Sequence, residues 1–122
     1  MKKTALILAC LILFGTASAQ PAKWITLDGR TGENSWICFR KDFVLYGQIP
    51  STVKAKIAVD SKYWLWINGR EVIFEGGLKR GPKPNATYYD EVDIAPYLRE
   101  GENKIAVLLC YFGKNGYSHA SS

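Results

Sequence analysis

Three carboxylates, Asp90, Glu91 and Asp93, stand close together in the sequence. Two carboxylates held about 5 to 9.5 Å apart across a bond are what hydrolysis of a glycosidic linkage needs. These three do not form a clear acid and base pair. In an extended segment Asp90 and Glu91 point to opposite faces, and Asp93 is placed to cap a helical turn over residues 94–98. The other group able to do chemistry is aromatic. Trp64 and Trp66 alternate within Tyr63-Trp64-Leu65-Trp66-Ile67, so both indoles lie on the face opposite the one that Tyr63, Leu65 and Ile67 offer to a core. Large rings on such a face either stack on sugars or pack into a domain interface. In the sugar-stacking reading, Arg80, Tyr88 or Tyr89 would donate hydrogen bonds to sugar hydroxyls. The candidate carbohydrate-binding residues are therefore Trp64, Trp66, Arg80, Tyr88 and Tyr89, with a merely solvated basic loop as the competing reading of Arg80 and Lys83.

Other chemistries lack their residues. His119 is the single histidine and no Cys-x-x-Cys pair accompanies it, so the ligand count for a structural metal is not met. Neither Gly-x-Ser-x-Gly nor a glycine-rich loop leading from strand to helix occurs. No metal, no cofactor and no catalysis by this chain alone are expected. Cys38 and Cys110 each lie in an apolar, strand-like run and read as small buried hydrophobes, although export would permit them to pair.

The elements that must position these residues are strands. In Val53 to Val59 the odd positions are apolar and Lys54 and Lys56 occupy even ones, the period of a half-buried strand. After Asp60-Ser61-Lys62 comes the aromatic strand, closed by Asn68-Gly69, two residues that tolerate the positive φ of a type I′ hairpin turn. Ile67 and Arg70 are then hairpin neighbours. Trp36 to Leu45 reads as a strand, Glu75 to Asn85 as a long exposed loop, and Thr87 to Val92 as extended again. Lys104 to Phe112 is apolar on both alternating faces beyond its first residue, which predicts a central strand covered on both sides. No helical period, heptad or internal repeat occurs outside the first residues.

Residues 1–19 have the form of a secretory signal peptide: Lys2 and Lys3, an apolar run from Ala5 to Phe14, then Ala17-Ser18-Ala19. The run is too short to span a bilayer, so no permanent membrane span is expected. Cleavage after Ala19 removes two lysines and no acidic residue, taking the formal charge from +5 to +3. The remaining basic residues are dispersed over strands and a loop, unlike the clustered face of a nucleic-acid binder. Residues 20–122 suit one domain.

The motifs RKDF at Arg40 to Phe43, DSKYWLWINGREV at Asp60 to Val72 and TYYDEVDIAPYLREGENKIAVLL at Thr87 to Leu109 resemble the N-terminal β-sandwich region of bacterial α-L-rhamnosidases, glycoside hydrolase family 78. The looser pattern, an aromatic strand ending in Asn-Gly and later Gly-x-Asn before an apolar strand, is shared with galactose-binding-like domains of several glycoside hydrolases. The resemblance implies an all-β, galactose-binding-like sandwich of jelly-roll type, incomplete at its C-terminus, whose partner is a downstream catalytic domain carrying the catalytic carboxylates. It implies a non-catalytic accessory role, with a self-sufficient carbohydrate-binding module as the alternative. Fold analogy by itself licenses no activity. One expectation concerns export: the mature chain begins at Gln20, because Ala17 and Ala19 fit the cleavage rule. N-terminal mass analysis checks it, and a mature mass that retains residues 1–19, or a lipid on Cys10, would refute it.

Overall fold

The computed structural model describes residues 22–27, 29, 32–77 and 88–114. The proposed signal peptide, Arg80 with the rest of 78–87, and His119 lie outside the described residues. The elements in order are β1 (Ser35–Leu45), β2 (Lys54–Ile57), β3 (Lys62–Ile67), β4 (Arg70–Gly76), β5 (Asp90–Asp93), a 3-10 turn (Ala95–Tyr97) and β6 (Gly101–Tyr111). They form one sheet of order β1-β6-β3-β4 and a second of β2 with β5, and every pairing is antiparallel. The described residues are all-β in the sense their alternation predicts, and their two sheets are arranged in a sandwich-like manner.

The alternation of β3 decides which face is the core. Tyr63, Leu65 and Ile67 are fully buried, and Ile57, Val59, Ile94, Tyr97 and Leu98 pack against them from β2, the chain after it and the 3-10 turn. Burying a side chain such as Leu65 or Ile67 contributes about 1.5 to 3 kcal/mol. From the same sheet Ile105 and Val107 of β6 and Val72 and Ile73 of β4 join this cluster. Asn68 and Gly69 take φ values of 51° and 77°, and Ile67 pairs with Arg70, which is the type I′ hairpin the Asn-Gly pair dictates.

Several features differ from the sequence expectation. β2 and β3 are consecutive but belong to different sheets, since among the described residues β2 pairs only with β5. Ser61 makes the crossing possible. It adopts φ 76° and accepts the Phe112 N–H on its Oγ at 3.0 Å, tying the start of β3 to the end of β6. Glu75 and Gly76, expected to open a loop, instead end β4. The ladder slips twice, between Leu65↔Ile73 and Trp66↔Glu71, where Val72 is the extra residue, and between Tyr63↔Gly76 and Leu65↔Ile73, where Glu75 takes φ 51°, as a bulge does on an edge strand. β6 is central as expected, between β1 and β3, but among the described residues the second sheet meets only one of its faces.

Two glycines separate conformational strain from crowding. Gly69→Val should cost about 1 to 3 kcal/mol, because a β-branched residue is poorly suited to positive φ. Gly76→Ala should cost more, since a Cβ there would collide with Cε1 of the buried Tyr63 ring. Thermal melts of the two variants check this ranking.

Candidate functional site

The register assigns the residues of β1, β6 and β3 to a face, because directly opposed residues in antiparallel strands point the same way. Trp36 of β1 opposes Cys110 of β6, which opposes Lys62 of β3. Cys38, Leu108 and Trp64 form the next row, and Arg40, Ala106 and Trp66 the row after. All of these point away from the core. Neighbouring strands lie about 4.8 Å apart, so Trp36 and Trp64 start two strands from one another. Their rings nonetheless stack with centroids 5.6 Å apart and planes 26° from parallel. They must lean toward each other across β6, which accounts for Cys110 being buried on an otherwise open face; that burial pushes its thiol pKa up. Phe74 of β4 completes the group, edge-on to Trp64 at 6.4 Å. Trp36 is 60% exposed and Phe74 69%, while Trp64 and Trp66 are half-buried.

Charged pairs rim these rings. Arg40 meets Asp42 at 3.3 Å and Lys62 meets Glu75 at 3.3 Å, all four well exposed. Glu71 opposes Trp66, and Lys104 opposes Asp42.

The carboxylate group lies in the second layer, and each member has a structural partner. Asp93 Oδ1 accepts the Val53 N–H at 2.9 Å and the Ala95 N–H at 3.0 Å. It thereby satisfies a first-turn amide of the 3-10 segment, whose formal cap residue is Ile94. Those backbone bonds hold its carboxyl below the usual value. Glu91 Oε1 accepts from Lys54 Nζ at 2.8 Å, and that bond lowers the Glu91 pKa and raises that of Lys54. Asp90 Oδ2 accepts the Tyr63 hydroxyl at 2.6 Å. Burial, then this bond, raises the Tyr63 pKa, so the phenol stays a donor. An open cleft of about 400 Å³, lined by Phe74, Glu75, Gly76, Asp90 and Glu91 among others, lies between the ends of β4 and β5.

The sequence-predicted residues are thus not brought together. Trp64 and Trp66 look outward from the large sheet. Tyr89 lies on the outward side of the other layer, its ring 4.9 Å from Lys56 Nζ, with exposed Tyr88 beside it in the chain, and Arg80 is outside the described residues. Trp36 and Phe74 were missed. The alternation of Trp36, Cys38, Arg40 and Asp42 could have grouped β1's outward residues, but no local signal says that β1 and β3 flank the same strand. Cys38 and Cys110 are free, and Cys38 is exposed, where its apolar run suggested burial. Among the described residues no group of His, Cys, Asp and Glu is placed to hold a metal, and no helix is long and apolar enough to cross a membrane.

No family model matches the chain. Over 83 residues it is 31% identical to a beta-galactosidase of Yersinia pestis bv. Antiqua (strain Angola), and equally to a beta-galactosidase of Yersinia pseudotuberculosis serotype O:3 (strain YPIII). The matched stretch is 66% of this chain but 7% of those proteins, so the chain spans a small part of the curated relatives it matches. The similarity is therefore to a portion of a glycoside hydrolase.

The pKa directions set an acid and an alkaline limit on stability. Asp93 and Glu91 titrate below their usual 3.8 and 4.5 in the folded chain. Their contribution is present above those values and is lost as pH falls through the lower, folded ones. Tyr63 titrates above its usual 10.0, so its contribution is full below that pH and fades as pH rises further. Melting temperatures recorded from pH 2 to 12 should be level between these limits and fall outside them, and Asp93→Ala should shrink the acid-side fall.

Proposed function

We propose that the chain is a non-catalytic accessory β-sandwich, galactose-binding-like in fold, of an exported glycoside hydrolase. It works beside a downstream catalytic domain in the breakdown of plant or rhamnose-containing glycans. The observation that carries this reading is the engagement of the clustered carboxylates: Asp93 on two backbone amides, Glu91 on Lys54 and Asp90 on the Tyr63 hydroxyl. A glycosidase instead sets an acid and a base facing each other across the scissile bond. The beta-galactosidase similarity supports the glycoside hydrolase class. The motifs RKDF, DSKYWLWINGREV and TYYDEVDIAPYLREGENKIAVLL favour an α-L-rhamnosidase as the parent. A second reading, a self-sufficient carbohydrate-binding module, is favoured by the solvent-open rings of Trp36 and Phe74.

The purified chain should release no aryl alcohol from an aryl β-galactoside or an aryl α-L-rhamnoside at any pH from 4 to 8. Turnover that disappears in Asp90→Asn would overturn the non-catalytic reading.

A further inference from the structure

We propose that the outward face of the large sheet is a binding platform for an uncharged glycan, with Trp36 and Phe74 as the stacking rings and Arg40, Asp42 and Glu71 as partners for its hydroxyls. This rests on the carbohydrate reading above; of the residues named from the sequence, Trp64 enters as a support for the two rings, and Trp66, Arg80, Tyr88 and Tyr89 have no part in it.

A pyranose ring presents a patch of C–H groups on one face and hydroxyls around its edge, so its receptor needs open aromatic faces with donors and acceptors beside them. Trp36 and Phe74 are the open faces. Trp64 stands between them and touches both, by stacking at 5.6 Å and by an edge contact at 6.4 Å. It therefore acts as a positioning residue. Rings already held in place lose little freedom on binding, which lowers the cost of association.

The charges select the class of occupant. This face carries Arg40, Lys62 and Lys104 against Asp42, Glu71, Glu75 and, at its far end, Glu102, so it holds both signs and no excess of positive charge. A polyanion such as nucleic acid or an acidic polysaccharide gains nothing there. A flat protein surface laid over the rings would have to desolvate Arg40–Asp42 and Lys62–Glu75, which sit within two rows of the aromatic centre. Protein interfaces keep charge away from that position. Hydroxyls can instead exchange with water around exposed ion pairs, whose own contribution is small. The guanidinium of Arg40 offers donors and the Asp42 and Glu71 carboxylates offer acceptors, which matches a neutral polyol.

The test is calorimetric titration of the full chain with β-1,4-galactotetraose and with an α-linked rhamnotetraose, and with tetragalacturonate as the anionic comparison. Tryptophan fluorescence is followed in parallel. Binding of at least one neutral tetrasaccharide, in preference to the anionic one, is expected. Trp36→Ala and Phe74→Ala should each weaken it about tenfold or more, Trp36→Phe should keep much of it, and Tyr46→Ala, an exposed aromatic elsewhere, should leave it unchanged. Melts of every variant separate lost binding from lost fold. The proposal is overturned by no binding to either neutral probe, by binding that survives both alanine variants, or by loss in Tyr89→Ala alone. Self-association that Trp36→Ala abolishes would also overturn it, by making the face an interface between copies. Failure here with no hydrolysis above would leave the accessory reading standing, so the two can fail separately.

Discussion

A clasp of two asparagine side chains holds the hairpin, the 3-10 turn and the central strand together. Asn103 is fully buried, and its amide is occupied: Nδ2 donates to the Arg99 and Gly101 carbonyls while Oδ1 accepts from Arg99 N–H and from Asn68 Nδ2. Asn68 Nδ2 also donates to the Tyr97 carbonyl, and its Oδ1 accepts the Lys104 N–H at 2.9 Å. The turn residue of β3–β4 thus grips both the 3-10 segment and the start of β6. A buried amide left without these partners would cost about 1 to 3 kcal/mol, so the network strongly disfavours alternative pairings. Its effect on register matters more. Sliding β6 by one residue would send Ile105 and Val107 outward and bring Ala106 and Leu108 in. With Lys104 fixed to Asn68, Trp64 must oppose Leu108, and through the long β1–β6 ladder Trp36 must oppose Cys110. The aromatic face is a downstream consequence of an amide contact at the far end of the strands.

Unequal layers leave that face open. β2 and β5 are each four residues long, whereas β1 and β6 run for eleven. A layer so short covers Tyr63, Leu65 and Ile67 with the help of the 3-10 turn, and nothing comparable covers the opposite side among the described residues. The rings there shelter one another instead. The Trp36–Trp64 stack hides Cys110 and part of Trp64, reducing the apolar area that meets water without a second sheet to cover it.

Local signals were legible in the sequence and long-range ones were not. Asn68-Gly69 announces its turn because φ above zero excludes most residues, and the alternation of β2 and β3 reads directly as burial. Asp93 was readable as an amide acceptor for the following turn. What escaped depends on partners distant along the chain. The pairing of β2 with β5, the bulge at Glu75 and the burial of Asn103 each require knowing which strands adjoin. Cys38 shows the limit clearly: its neighbours Ile37 and Phe39 are apolar, yet it falls on the open face of an edge strand and is exposed.

The same reasoning explains why Trp64 and Trp66 are half-buried while Trp36 and Phe74 are open to solvent. Trp64 and Trp66 lie on β3, with β6 on one side and β4 on the other. On an uncovered sheet face a side chain flanked by strands on both sides is shielded laterally by its neighbours. One on an edge strand keeps a flank in water. β1 and β4 are the edges of this sheet, and they supply Trp36 and Phe74. The aromatics concentrated in one strand are therefore the shielded ones, and exposure to solvent passes to single aromatics on the strands at either side, which no run of sequence advertises.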